Sequence, residues 1–294
     1  MVTSSAQLPQ EIKEKIIRFQ QTELTEFYVY NKLAGIIADD KNRTILQRIA
    51  SEEKTHHDIW KRHTGVDVSP RRFKINFYVI CARIFGLTFA VRLMEKGEEK
   101  AQHGYEAVLS FFPETKGIFD QEQQHELALI EIIREDKLEH MGSIVLGLND
   151  ALVELTGALA GLSFALRDGK LVALAGLVTG IAASMSMAAS EYLSKKAEDD
   201  PKPAKSSLYT GIAYVVTVLL LVLPYLLTSD YRIALAFTLG IAVLIIAFFT
   251  FYSSVVKGLS FKKKFFEMFI ISMGVAAISF GVGVVLRTAF GIDA

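Results

Sequence analysis

Two short motifs in the first half of the chain could bind a metal ion. Glu53-x-x-His56 and Glu122-x-x-His125 each place a carboxylate and an imidazole three residues apart. Residues at this spacing are neighbours on the surface of an α-helix, so both side chains of a motif can reach one point. One such motif is common by chance, whereas two in one chain favour a metal site built from two helices.

A further carboxylate precedes each motif. Glu23 falls on the apolar stripe of a predicted helix, and Glu98 precedes the second motif; each is followed seven residues later by a tyrosine, Tyr30 or Tyr105. A carboxylate on a buried face needs a partner. Four carboxylates can neutralise and bridge two divalent cations, and two imidazoles complete the coordination. The repeated pattern therefore predicts a site for two metal ions.

These side chains converge only if the helices that carry them pack as a bundle. Apolar residues at a period near 3.6 predict helices over about Pro9–Ala38 and Arg43–His63. A long third helix is expected after Pro70 and a fourth after Pro113. The fold class is thus predicted to be all-α, with a four-helix bundle over residues 1–140.

The stretch Ile75–Met94 is apolar enough to resemble a membrane span. Arg83 and Arg92 argue against a crossing, because an arginine at mid-bilayer costs about 2.5–3.5 kcal/mol on insertion scales. A crossing would also separate the two halves of the metal site. We expect this stretch to begin the third helix and to pack in the bundle, on a partner or against the membrane surface.

The bundle pattern resembles the rubrerythrin-like and ferritin-like domains, in which two helices give one Glu each and two give Glu-x-x-His. The resemblance implies two iron ions, or other divalent transition metals, held by these ligands: Glu23, Glu53, His56, Glu98, Glu122 and His125, with Glu95 as the alternate third-helix ligand. Glu26 is expected to support the ligands, and Glu52, His57 and His63 to lie at the surface or rim. Rubrerythrins usually add a four-cysteine iron site, which the lone Cys81 cannot build; this counts against peroxidase activity.

Hydrophobic residues make up 51% of the chain and dominate its second half. A bilayer crossing needs about 20 mostly apolar residues. Five runs qualify, which predicts a five-span membrane domain over residues 141–294: Ile144–Leu166, Leu171–Leu193, Leu208–Leu227, Ile233–Val255 and Phe266–Leu286. Gly157 and Gly161 are spaced to let helices approach closely.

Charged residues within the spans are costly in lipid and point to function. Asp150 and Glu154 lie one turn apart in the first span, and Met187 and Glu191 have the same spacing in the second. Three carboxylates and a thioether could bind a partly dehydrated transition metal. The structural alternative is that Glu191 caps a helix at the interface and Met187 only packs.

The runs Gly147–Glu154 and Ser186–Tyr192 resemble the first two spans of the vacuolar iron transporter family. The resemblance implies a homodimer that exports ferrous iron, or manganese, from the cytosol in exchange for protons. Its path would be lined by Asp150, Glu154, Met187 and Glu191. Two departures stand out: Ala151 replaces the usual glycine, and only a short loop around Pro201 replaces the long acidic insert of plant and fungal members. The combination with the bundle resembles bacterial membrane-bound ferritins, which implies a prokaryotic plasma membrane.

Basic residues set the expected orientation. The loops after the second and fourth spans hold four lysines each: Lys195, Lys196, Lys202 and Lys205, then Lys257, Lys262, Lys263 and Lys264. Basic loops stay on the cytoplasmic side. This predicts a cytoplasmic N-terminal domain and an external C-terminus.

The function predicted from these features is export of Fe²⁺ or Mn²⁺, with a cytoplasmic di-iron domain that captures the metal and could oxidise it. Two alternatives stay open: a membrane-anchored ferroxidase or peroxide scavenger, and a sensor domain that gates the transporter. The net charge of zero and the lack of a basic stripe with interleaved aromatics argue against nucleic-acid binding.

Overall fold

The computed structural model describes residues 9–102, 108–132, 141–228 and 230–290, although not every side chain within them. Throughout these ranges the regular secondary structure is helical. The chain divides into two compact units, Met1–Glu135 and Asp136–Ala294. The all-α prediction is therefore confirmed for the described residues.

The first unit contains five described α-helices: α1 Gln10–Ile36, α2 Asp40–Thr64, α3 Arg72–Phe85, α4 Leu87–Gln102 and α5 Lys116–Ile132. A short connection makes α1 and α2 antiparallel neighbours. The side chain of Asp39 accepts a hydrogen bond from the backbone N–H of Asn42 and caps the start of α2. Gly65 ends α2 with φ 65°, the left-handed conformation that glycine adopts without steric cost.

The prediction of one continuous third helix is wrong, because Gly86 divides it into α3 and α4. The backbone of Gly86 has φ 94° and ψ 160°, a conformation that a side chain would strain. The 14 residues of α3 extend about 21 Å, less than the roughly 30 Å hydrocarbon core. The break therefore agrees with the prediction that Ile75–Met94 is not a sixth span.

The second unit contains five helices that are long and apolar enough to cross a membrane, as predicted. They are α6 Met141–Leu166, α7 Gly169–Ala197, α8 Pro203–Leu227, α9 Tyr231–Val256 and α10 Phe261–Phe290. Helix α6 packs most closely on α10 and α8, and α7 packs on α8. Their shared core includes Leu155, Leu159 and Tyr214.

Glycines bring α6 into direct contact with its neighbours. A Cβ atom at Gly147 would lie 2.3 Å from the carbonyl oxygen of Thr210 on α8. At Gly157 it would meet Cγ1 of Val275, and at Gly161 the carbonyl oxygen of Ser279, both at 2.9 Å on α10. Gly157 and Gly161 thus permit the close helix approach that their spacing predicts.

We expect Gly147→Ala to destabilise the membrane unit, because the added methyl group collides with backbone that cannot rotate away. Overpacking of this kind typically costs about 1–3 kcal/mol. The thermal unfolding midpoint of the full chain in detergent should fall. Gly240→Ala on α9 is the matched control, since a Cβ there meets nothing within 4 Å. Equal midpoints for the two variants would contradict the close α6–α8 contact.

Candidate metal centre

Four side chains from three helices of the first unit converge on one buried point. Glu23 comes from α1, Glu53 and His56 from α2, and Glu122 from α5. One ligand atom from each lies within 4.8 Å of those from the other three. Glu23, Glu53 and His56 are buried and Glu122 is partly buried. This spacing is compact enough for the four residues to hold a divalent cation.

The imidazole of His56 lies at the centre of this group. Its Nδ1 is 3.1 Å from Oε1 of Glu122, 3.5 Å from Oε2 of Glu53 and 3.6 Å from Oε2 of Glu23. The carboxylates therefore surround the nitrogen on the side where a shared cation would bind.

His125 lies beside His56 and uses the other oxygens of two of the same carboxylates. Its Nδ1 is 3.1 Å from Oε1 of Glu53 and 3.6 Å from Oε2 of Glu122. The two imidazole rings are stacked with their centroids 5.7 Å apart. Glu53 and Glu122 thus each direct one oxygen toward each histidine.

The residue before each Glu-x-x-His motif supports the histidine of the other motif. Nε2 of His125 is 2.5 Å from Oε2 of Glu52, and Nε2 of His56 is 2.7 Å from Oε1 of Gln121. Both rings are thereby turned so that Nδ1 faces the cluster. The side chain of Glu52 is 28% exposed, which agrees with the expected position at the rim, but its contact with His125 was not predicted.

Three other residues of α1 and α2 are buried in the same unit: Trp60, His57 and Glu26. Nε1 of Trp60 donates a hydrogen bond to Oε1 of Glu23 at 3.3 Å and orients that carboxylate. His57 is buried, and its Nδ1 donates to the backbone oxygen of Gln20 at 3.0 Å. The expectation of a surface position for His57 is therefore wrong, because it turns toward α1 instead. Glu26 is also buried.

The pKa values of the cluster indicate which side chains hold protons that a cation would replace. Burial raises the pKa of Glu23 well above its usual value, and the neighbouring Glu53 raises it further. Burial also acts against the charged form of Glu53, but contact with His125 and His56 outweighs it and lowers that pKa to about 2. Burial lowers the pKa of each histidine, but the carboxylates around them outweigh it, so the pKa of His56 is raised and that of His125 reaches about 10.

The residues present fit a metal ion. Within the described part of the chain, Oε2 of Glu53 and Nδ1 of both His56 and His125 are buried without a hydrogen bond of good geometry. Buried polar atoms are rarely left in this state, and a bound ion is one of the usual reasons. Oε2 of Glu53 is 3.5 Å from Nδ1 of His56, so one cation could satisfy both of these atoms.

The two third-helix candidates are less closely tied to this group. Oε2 of Glu95 on α4 is 3.3 Å from Nη1 of Arg92, and Glu95 is outside the four-residue cluster. The side chains of Glu98 and Tyr105 lie outside the described residues. The α4 contribution to the site stays a prediction.

In the membrane unit, two carboxylates bind polar groups of neighbouring helices. The hydroxyl of Tyr214 on α8 donates to Oε2 of Glu154 at 2.9 Å. The hydroxyl of Ser143 on α6 donates to Oε1 of Glu191 on α7 at 2.5 Å, and Glu191 is buried. Both carboxylates thus join helices within the unit rather than pointing only into lipid.

Asp150, Glu154, Met187 and Glu191 form an ordered series along α6 and α7. Ser143 precedes Asp150 by seven residues and Glu154 by eleven, so all three lie on one face of α6. A two-residue connection makes α7 antiparallel to α6. Since Glu191 contacts Ser143, Met187 lies about 6 Å further along α7, toward the level of Asp150.

Comparison with known proteins bears on this second unit. Residues 141–202 match the family model described as the VIT family. The matched segment contains α6 and α7, and with the five apolar helices it fits a VIT membrane domain. No curated protein matches the chain.

We expect Glu52→Gln to weaken metal binding, because a carboxylate that accepts from a ligand histidine increases the basicity of its other nitrogen. Loss of such support typically costs about 10–100-fold in affinity, and an amide should cost about tenfold. Binding of Mn²⁺ to the purified full chain would be measured by calorimetry. Glu11→Gln, at an exposed ion pair on α1, is the matched control. Equal affinities for both variants would contradict the role of Glu52.

We also expect metal binding to release protons. The raised pKa values mean that His56 and His125 hold protons near pH 7.5 without metal, while a cation requires a free Nδ1. Affinity should therefore rise with pH toward about 10. Calorimetry in buffers of different ionisation enthalpy should show release of about two protons from the histidines, with a further contribution from Glu23, and about one fewer in total for His125→Ala. Binding without proton release would contradict this assignment.

Proposed function

We propose that this integral membrane protein exports divalent transition-metal ions, Fe²⁺ or Mn²⁺, from the cytosol in exchange for protons. The observation that carries the proposal is the VIT family match over the two helices that hold Asp150, Glu154, Met187 and Glu191. Carboxylates within membrane spans are costly and are retained where ions or protons pass.

The order of donors along α6 and α7 supports a path for the metal. Glu191 lies near the start of α6 beside Ser143, and Met187 on α7 and then Asp150 and Glu154 on α6 follow toward the middle of the two helices. A cation entering at Glu191 could exchange one set of oxygen ligands for the next. Each carboxylate that releases metal can take a proton, which couples the two flows in opposite directions.

The basic loops support the direction of transport. Lysines follow α7 and precede the apolar part of α10, so the positive-inside rule places these loops in the cytosol. This orientation puts the start of α6 and the N-terminal unit on the cytosolic side and the C-terminus outside. A homodimer in a prokaryotic plasma membrane is part of the same proposal.

The buried cluster supports capture of metal by a ferritin-like N-terminal domain. Glu53 and Glu122 each present one oxygen to each histidine, which suits two ions that share bridging carboxylates. We assign Glu23, Glu53, His56, Glu122 and His125 as ligands, with Glu95 or Glu98 from α4. Iron held there could give an electron to dioxygen or peroxide, which would be a ferroxidase activity.

The same cluster favours a second candidate function, a membrane-anchored ferroxidase or peroxide scavenger in which the spans only anchor. Its buried donors are organised for binding without any contribution from the membrane unit. A third role, as a metal sensor that gates transport, uses the same residues. Measurement of flux separates these three.

Transport by the full chain would be measured in proteoliposomes with a metal-sensitive dye. Asp150→Asn and Glu191→Gln should each reduce flux by about tenfold or more, since losing a ligand costs at least as much as losing its support. Asp199→Asn is the control, because this loop residue has φ 56°, which asparagine tolerates.

The outcomes distinguish the candidates. Unchanged flux in Asp150→Asn and Glu191→Gln would defeat the transport path, and Fe²⁺ oxidation that persists in them would favour the anchored ferroxidase. Flux that changes in Glu53→Ala only at low iron would favour the sensor. Reduced metal content in Glu53→Ala/Glu122→Ala, with flux retained, would separate capture from transport.

A further inference from the structure

Helix α3 exposes a continuous row of large apolar side chains. Four residues at positions i, i+4, i+7 and i+11 lie on one face of the helix and are exposed by 83%, 43%, 53% and 63%: Phe73, Phe77, Ile80 and Ile84. We name this row the α3 stripe. No described residue of the first unit covers it, although apolar surface of this kind usually marks an interaction site.

The opposite face of α3 already packs in its own domain. Ile75 and Ala82 point about 180° away from the stripe and are buried. Cys81 is buried as well. The helix is therefore held by one apolar face, and the stripe is a second apolar face that the domain does not use.

Basic residues stand on both flanks of the stripe. At 100° per residue, Lys74 lies about 90° to one side of it, and Arg72 and Arg83 lie about 90° to the other. All three are exposed, and α3 contains no acidic residue. An apolar face with cations at both edges is the pattern of a helix that lies in the plane of a membrane surface.

A cavity of about 400 Å³ beside Lys74 extends the basic surface. It lies between α1, α3 and α4. Lys15, Arg18 and Arg71 also line it, together with one acidic residue, Glu26, and an apolar wall that includes Tyr78. Lys15 is paired with Glu11, whereas the described side chains include no ion-pair partner for Arg18 or Lys74. These two cations are thus available to an anionic group with an apolar extension.

We propose that α3 lies in the interface of a bilayer that contains anionic phospholipid, with the α3 stripe in the acyl–headgroup boundary. Lys74, Arg72 and Arg83 bind headgroup phosphates on either side, and the cavity receives one headgroup. A second copy of α3 is a poor occupant, because an antiparallel or parallel self-contact would bring only like charges together. The helix is too short to cross, and the same chain carries five helices that are long and apolar enough to span a membrane.

Site-directed spin labelling of the full chain tests this proposal. In a Cys81→Ser background, a nitroxide would be attached to Phe77→Cys, Ile80→Cys or Thr55→Cys, the last being an exposed control on α2. The chain would be reconstituted in phosphatidylcholine vesicles with phosphatidylglycerol. Accessibility to oxygen, relative to a water-soluble nickel chelate, should exceed one at positions 77 and 80 and fall below one at 55.

Charge reversal tests the lipid headgroups. Lys74→Glu with Arg83→Glu should bring the ratio at position 77 below one, as should omission of phosphatidylglycerol, while the thermal unfolding midpoint shows that the fold is kept. A ratio below one at position 77 in the original chain would overturn the proposal. So would dipolar broadening at position 77 that disappears on dilution with unlabelled protein, because a second copy would then cover the stripe.

Discussion

The first unit depends on one electrostatic constraint: three carboxylates and two imidazoles share a buried volume in which isolated charges are too costly. Without metal, the histidines hold protons and Glu23 is driven toward its neutral form, so the cluster balances its own charge. A divalent cation can replace those protons without changing the burial of any ligand. The same arrangement therefore holds the metal-free domain together and prepares it to bind.

Three helices of the first unit bring the charged side chains of the cluster together. Helices α1 and α2 carry Glu23, Glu53 and His56, and Nε1 of Trp60 on α2 donates a hydrogen bond to the carboxylate of Glu23. Helix α5 places Glu122 and His125 against Glu53 and His56 of α2. The carboxylate of Glu52 contacts Nε2 of His125, and the amide oxygen of Gln121 contacts Nε2 of His56. The two histidines therefore differ in their electronic surroundings.

In the membrane unit, close backbone contact and polar contact occur along the same helix. Gly147 lets α6 approach α8 at Thr210, and the same two helices are joined by Tyr214 and Glu154. Small residues allow the two helices to approach each other closely, and the short distance lets their polar side chains form hydrogen bonds with one another away from lipid. Polar side chains can therefore be held between helices that are otherwise apolar.

Sequence periodicity and spacing were enough to predict the all-α class and the five spans, because these depend on local helical geometry. The repeated pattern of Glu residues and Glu-x-x-His motifs also predicted that Glu23, Glu53, His56 and Glu122 share one site, although only the packing of three helices brings them together. The break at Gly86, the contact of Glu52 with His125 and the burial of His57 depend on how helices meet across the domain. A single glycine does not reveal its φ, and an i−1 neighbour does not reveal which helix it faces. Those features were decided by tertiary packing, since only the assembled helices determine which polar atoms come within hydrogen-bonding distance.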